Sequence, residues 1–314
     1  MSDFSTPRLF QNAHVSTIFP NLFRRVRGVE YDRQTVETPD GDFYDIDIAG
    51  IKSKKALILV HGLEGSSSST YMLGMSKLAN SIGYDAVALN HRGCSGTPNR
   101  KFTSYHSGFT KDVAHLIDQL QQYDEIIIVG FSLGGNVALK YAGTHAAELD
   151  PRIKAVVAVS VTLDLAGSAD ELGKLHNSLY LMRFLRQLKS KALEKGRLFP
   201  EENLDSKIIR AARDFREFDD AYTAPYNGYG TAENYYRQAS ALNELDQIRI
   251  ATLIINAKND SFLTPGSFPQ MIHDIPNMHL LTPELGGHVG FVLDNRLRGV
   301  FWHEQKVAKF VASL

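Results

Sequence analysis

Glu125-Ile126-Ile127-Ile128-Val129-Gly130-Phe131-Ser132-Leu133-Gly134-Gly135-Asn136-Val137-Ala138-Leu139-Lys140-Tyr141 decides the fold. An apolar β-branched run opens it, a helical pattern closes it, and a G-x-S-x-G, Gly130 to Gly134, lies at the junction. Composition alone yields that motif in roughly one of ten chains of this length, so its placement carries the signal. A serine hydroxyl is a poor nucleophile at neutral pH. A sharp strand-to-helix turn lifts its oxygen out of the sheet, toward a histidine and the helix N-terminus. Ser132 is therefore the candidate nucleophile.

Working outward, short β-branched runs recur at Ala56–Val60, Asp85–Asn90, Glu125–Val129, Ile153–Val161 and Thr252–Asn256. Their near-continuous apolarity predicts strands buried on both faces of a parallel sheet. Helical patterns fill the gaps at Tyr71–Ile82, Thr110–Gln122 and Asn136–Ala147. Strand, crossover helix, strand predicts an α/β fold with a doubly wound, mostly parallel sheet. Gln34–Ile48 reads as a hairpin turning at Asp40-Gly41, which adds an antiparallel edge. There is no internal repeat and no low-complexity segment.

The alternation stops between Asp164 and Ala241. Leu172–Lys195 reads there as one long helix rich in bases (Arg183, Arg186, Lys189, Lys191, Lys195), and Phe218–Gly230 as an aromatic, loop-rich stretch. The expectation is a single domain, residues 1–314, carrying a helical cap insertion, 164–241, over the strand C-termini, where open α/β sheets bind ligands. The bases alone would equally suit a solvated outer face.

An activated serine needs a base and an orienting acid, and in this topology they follow it in the order acid, histidine. Asp260 ends Thr252–Asp260, and His288 lies in the glycine-rich Leu285-Gly286-Gly287-His288-Val289-Gly290. His288 would take the serine proton while Asp260 held the ring in the right tautomer. Asp164, just past another strand, is the rival acid; Asp294 suits capping near the last helix. Backbone N–H groups of Leu133 and of Leu63, in the turn after Leu57–Val60, are the candidate oxyanion donors. His61 and the turn Asn90–Gly96 read as scaffolding, with Cys94 a small buried apolar side chain.

The chain has 314 residues, 43% of them hydrophobic, and a net charge of -1, which gives no reason to expect a nucleic-acid partner. Cys94 is the single cysteine, so no internal disulfide forms and a reducing compartment is expected. Met1–Arg8 lacks the basic patch and apolar stretch of a signal peptide, and no apolar run approaches the roughly 20 residues that span a bilayer. A soluble, cytoplasmic protein is the expectation. No H-E-x-x-H, paired cysteines, phosphate loop or G-x-G-x-x-G appears, so neither metal nor cofactor is called for.

These motifs together resemble the α/β-hydrolase fold and, within it, the YheT-like group related to the ABHD1 and ABHD3 type hydrolases. The resemblance runs through Asn12–Pro20, His61–Ser66, His91–Gly96, Tyr105–Gly108, Gly130–Asn136, Arg216–Asp220 and Gly286–Phe291, covering nearly the whole chain. It implies a serine esterase acting on short- to medium-chain carboxylic esters. Ser132, Asp260 and His288 would form the triad, and Leu63 and Leu133 the oxyanion hole. An acyltransferase using an alcohol acceptor, or a catalytically idle binding protein, are the alternatives. The expected partner is a small-molecule ester, with peripheral lipid contact open through the basic helix. The acid segment reads Asn259-Asp260-Ser261 where Asp-Asp-Pro is common.

Overall fold

The computed structural model describes residues 4–295 and 297–314; Met1–Asp3, the start of the stretch read for a leader, lie outside them. The strands are β1 (Asp32–Glu37), β2 (Phe43–Ala49), β3 (Lys55–Val60), β4 (Asp85–Asn90), β5 (Glu125–Phe131), β6 (Ile153–Val159), β7 (Ala251–Ile255) and β8 (Met278–Leu281). They form one 8-stranded sheet in the order β1-β2-β4-β3-β5-β6-β7-β8. β1 and β2 pair antiparallel, as does β2 with β4, and every pairing from β4 to β8 is parallel. The hairpin turn closes with Gly41 N–H donating to Thr38 O at 2.9 Å.

The expected burial on both faces holds in detail. Ile58 and Val60 pack on one side of β3 and Leu57 and Leu59 on the other, all fully buried. Each such side chain contributes about 1.5–3 kcal/mol on leaving water, so the central strands supply much of the driving force. The helices are α1 (Ala13–Phe23), α2 (Thr70–Ser81), α3 (Lys111–Gln119), α4 (Leu133–Thr144), α5 (Leu165–Leu172), α6 (Ser178–Leu198), α7 (Ser206–Ala211), α8 (Phe215–Phe218), α9 (Ala224–Tyr226), α10 (Ala232–Ala239) and α11 (Trp302–Val311). Val113 of α3 and Val137 of α4 join the cluster on one face of the sheet; Met75 of α2 and Val307 of α11 join the other.

Several boundaries differ from the sequence reading, each for a local reason. Leu172–Lys195 is not one helix: α5 stops at Leu172, and α6 begins at Ser178. In the break, the Asn177 side-chain amide donates to Glu171 O at 3.0 Å, a carbonyl in the last turn of α5, and to Ser261 O at 2.7 Å, which ties the break to the loop after β7. α3 ends at Gln119 rather than Gln122 because Arg152 takes the carbonyls of Ile117 and Leu120, at 3.0 and 2.7 Å. β6 ends at Val159 because Ser160 turns into the left-handed region (φ 51°). Nor is the basic face of α6 uniformly solvated. Lys195 is buried and donates to the carbonyls of Asn99 and Lys101, while half-buried Lys191 pairs with Glu64.

Candidate active site

Ser132 occupies the turn between β5 and α4 with φ 53° and ψ −122°, a backbone conformation that L-residues rarely adopt. Close approach makes the flanking glycines necessary. A Cβ at Gly130 would stand 2.2 Å from Gly134 O, and one at Gly134 would stand 2.3 Å from Val60 O. Without those side chains α4 packs directly on the ends of β3 and β5, and the hydroxyl is held clear of both.

β7 and β8 bring the other polar groups to the same edge of the sheet. His288 Nδ1 lies 2.8 Å from Asp260 Oδ2, and a carboxylate only accepts, so Nδ1 carries a proton; in the neutral imidazole this leaves the lone pair on Nε2. Asp260 is buried; its Oδ1 accepts from Phe262 N–H at 3.0 Å. The Phe262 ring covers the imidazole, centroid to centroid 4.2 Å. Ser132 and His288 line one cavity, with no hydrogen bond between them in this arrangement. Such contacts commonly tighten only when substrate binds.

The histidine loop is held from three sides. Thr17 Oγ1 of α1 accepts from His288 N–H at 2.9 Å, Ser16 Oγ donates to Gly286 O at 2.6 Å, and Ser160 Oγ accepts from Val289 N–H at 2.9 Å. A Cβ at Gly287 would lie 2.5 Å from Ser16 Oγ, so only glycine lets α1 come this near. Asn259, at the departure from Asp-Asp-Pro, accepts from Gly287 N–H at 3.0 Å and donates to Gln11 O at 3.2 Å. An ionised aspartate there would only accept. α1 is anchored in turn by the buried ion pair of Arg24 with Glu304, 2.7 Å.

Leu133 is the first residue of α4, where a backbone N–H has no intrahelical acceptor. Leu63 lies across from it on the loop after β3, and both residues line the cavity that Ser132 enters. Glu64 follows in the left-handed region (φ 53°). Its N–H donates to Tyr105 Oη at 2.8 Å, that hydroxyl donates back to Glu64 Oε1 at 3.0 Å, and Lys191 Nζ of α6 reaches Oε2 at 2.9 Å.

Two cavities meet at Ser132. One, about 350 Å³, runs beneath α5, α6, α8 and α10 and is lined by Leu172, Phe184, Leu188, Phe215, Tyr222 and Tyr235 among others. The other, about 270 Å³, runs past His288 between α1 and the start of α6. Leu63, Glu64, Phe184 and Phe262 are shared. Tyr222 faces the larger cavity, but Tyr226 lines a separate hollow with Asn203 and Asp205.

The remaining candidates lie apart from this geometry. Asp164 caps α5, accepting from Gly167 N–H at 2.9 Å and Thr264 Oγ1 at 2.6 Å. Asp294 Oδ1 accepts from Leu297 N–H at 3.1 Å. Fully buried His61 sits 2.7 Å through Nδ1 from Gly62 O and accepts His91 N–H at Nε2; burial pushes its pKa down to about 4. Cys94 is less enclosed than its apolar reading implied, taking a hydrogen bond from Lys191 Nζ at 3.3 Å, while desolvation raises its thiol to about 11. Among the described residues no cluster of three or more His, Cys, Asp or Glu side chains is arranged to hold a metal.

Sequence reasoning missed Thr17, Ser160, Glu64 and Asp219. Asp219, in a π-helical turn (Asp219–Thr223), lines the larger cavity and accepts from Tyr236 O–H at 2.6 Å, and burial pushes its carboxyl up to about 6. The stretches Asn12–Pro20 and Arg216–Asp220, quoted for their resemblance, held the signal for Thr17 and Asp219 without stating a role.

A family model described as "alpha/beta hydrolase fold" matches residues 55–294. The chain belongs to the α/β-hydrolase family. It is 35% identical to the putative esterase YheT of Escherichia coli, over 99% of this chain and 94% of that one. It is 28% identical to mouse phospholipase ABHD3, over 84% of this chain and 67% of that one, and 27% identical to a Saccharomyces cerevisiae monoacylglycerol lipase, over 89% and 63%. Among solved structures, the Pyrococcus furiosus esterase Pf2001 matches with TM-score 0.58 at 17% identity, over 91% of this chain and 93% of that one, a likeness of fold. These relatives support a hydrolase of the esterase type. No helix among the described residues is long and apolar enough to cross a membrane.

Proposed function

We propose that the protein is a serine esterase that cleaves short- to medium-chain carboxylic esters through an acyl-Ser132 intermediate. The observation that carries this reading is the Asp260–His288 hydrogen bond on a cavity that Ser132 also lines. His288 Nε2 takes the Ser132 proton as Oγ attacks the ester carbonyl; the carbonyl oxygen becomes an oxyanion held by the N–H groups of Leu63 and Leu133. Collapse breaks the bond to the alkoxy group, which leaves with the proton from Nε2. Water, deprotonated by the same nitrogen, then attacks the acyl carbonyl; the acyl–Oγ bond breaks, the acid leaves, and Nε2 returns the proton to Ser132 Oγ.

The two cavities divide the substrate by the same logic. The leaving group must receive the His288 proton, so the alcohol part lies in the cavity that His288 lines. The acyl chain then enters the larger cavity, whose volume of about 350 Å³ falls in the ordinary range for ligand pockets. Residues 164–241 act as a cap whose apolar side chains set acyl length, with Lys191 and Glu64 fixing it to the oxyanion loop.

The test is turnover of a graded series of p-nitrophenyl esters beside Ser132→Ala, with fluorophosphonate labelling mapped by mass spectrometry. Hydrolysis peaking at short to medium chains, lost in the variant, and a label on Ser132 are expected. Labelling elsewhere, or full activity in Ser132→Ala, overturns the proposal. Product analysis with added ethanol separates hydrolysis from acyl transfer.

A further inference from the structure

The mouth of the smaller cavity is rimmed by apolar side chains that no part of the described chain covers. On α1, Leu22 lines the cavity and is 55% exposed; farther round the helix Phe23 is 54% exposed, with the Phe19 ring tilted against it. At the start of α6, Leu179 is 68% and Met182 63% exposed, with Leu175 one turn earlier at 89%. Leu179 and Met182 are three residues apart on α6 and so neighbours on its surface, and Leu175 precedes them in the 3₁₀ turn Leu175–Asn177. The two helices meet here: His14 Nδ1 lies 3.2 Å from Tyr180 Oη, and Leu22, Leu179 and Arg183 line the one cavity that reaches Ser132 and His288. Isolated exposed apolar residues need no explanation, but exposed Leu22 and Leu179 line one cavity from two helices, with Met182 beside Leu179, and such a group at a cavity mouth marks an interaction surface.

Charge decides what meets it. Arg183 and Arg186 lie beside the α6 stripe, and exposed Arg25 follows α1. None of these arginines forms an ion pair with a carboxylate among the described residues, and the one acid lining this cavity, Glu64, is buried and held by Lys191. An apolar surface edged with unpaired arginines matches a bilayer interface with anionic headgroups: the apolar side chains enter the acyl boundary, and the guanidinium groups meet the phosphates.

We propose that the face formed by α1 and the N-terminal half of α6 docks the protein on an anionic lipid surface, with the cavity past His288 opening against the bilayer. Access to the site rests on the esterase reading; docking itself does not require Ser132 to react.

Vesicle co-sedimentation of the full chain tests it, using phosphatidylcholine alone and phosphatidylcholine mixed with phosphatidylglycerol. The parent should bind the mixed vesicles and release as salt is raised. Leu175→Ser with Met182→Ser should weaken partitioning by at least about tenfold, and Arg186→Glu by about fivefold or more. These three side chains lie outside the cavity lining, so turnover of a water-soluble ester should stay at the parent level in both variants. Ser132→Ala should bind vesicles like the parent, which separates failure of docking from failure of the catalytic reading. No binding of the parent to mixed vesicles, or binding unchanged in both rim variants, overturns the proposal. So does concentration-dependent self-association that the rim variants abolish in the absence of vesicle binding, since a second copy would then be the occupant.

Discussion

Lys191 Nζ lies 2.9 Å from Glu64 Oε2, and this ion pair ties the long helix over the larger cavity to the residue that follows Leu63. The Glu64 side chain is only 3% exposed, so removing its partner leaves a carboxylate in a low-dielectric site, a costlier change than the loss of a surface pair.

Lys191→Met should therefore shift the loop that presents the Leu63 N–H. Because one oxyanion donor is worth about 10²–10³ in kcat, a partial displacement should lower kcat by roughly tenfold or more with a smaller change in KM. Steady-state kinetics on one soluble ester checks this. A variant with parental kcat would detach the ion pair from catalysis.

The two acids should separate cleanly. Asp260→Asn removes the charge that orients His288 and should cost on the order of 10⁴ in kcat with little change in folding. Asp164→Asn should retain most turnover, since asparagine caps a helix about as well as aspartate and the Asp164 carboxylate bonds only Gly167 and Thr264 among the described contacts. The reverse ranking would move the acid to Asp164.

Thr17→Val removes the acceptor at His288 N–H while keeping side-chain shape. Loss of one such bond costs about 1 kcal/mol in stability, but the imidazole is set by that loop, so kcat should fall about tenfold with KM nearly unchanged. Equal kcat in the variant and the parent would make α1 a passive cover.

Burial pushes the pKa of His61 down to about 4 and that of His106 down to about 3. Each is neutral in the folded protein where the unfolded chain binds a proton, so stability is complete above the unfolded histidine range, near about 6.5, and is lost as pH falls below it. Each site removes about 1.4 kcal/mol per pH unit through that window. Urea unfolding at pH 7 and pH 5 should show the loss, and His106→Gln should reduce the pH dependence by close to one proton. An unchanged slope in that variant would contradict the buried neutral imidazole.

Acyl preference should follow the larger cavity. Leu188→Trp narrows it and should penalise the longest p-nitrophenyl esters most, whereas Tyr226→Ala, which faces a different hollow, should leave the ranking intact. A uniform loss across chain lengths in Leu188→Trp would mean that the acyl chain lies elsewhere.

The strands β1 to β7, the Ser132 turn and the order Ser132, Asp260, His288 are legible in the linear chain, because each rests on short-range physics; β8 is not among the runs read as strands. Apolar runs mark strands buried on two faces, and Gly130 and Gly134 permit an approach that any Cβ would block. Other features arise between residues far apart in sequence, where neither partner has a local signature. Thr17 meets the His288 loop across 271 positions, and Lys191 meets Glu64 across 127. The break after Leu172 depends on Asn177 finding Ser261 O, and the burial of Lys195 depends on carbonyls near Asn99. A helical pattern records which residues can share a face. Which neighbour that face meets, and hence whether a lysine is solvated or the histidine loop is braced, is decided only when the chain packs.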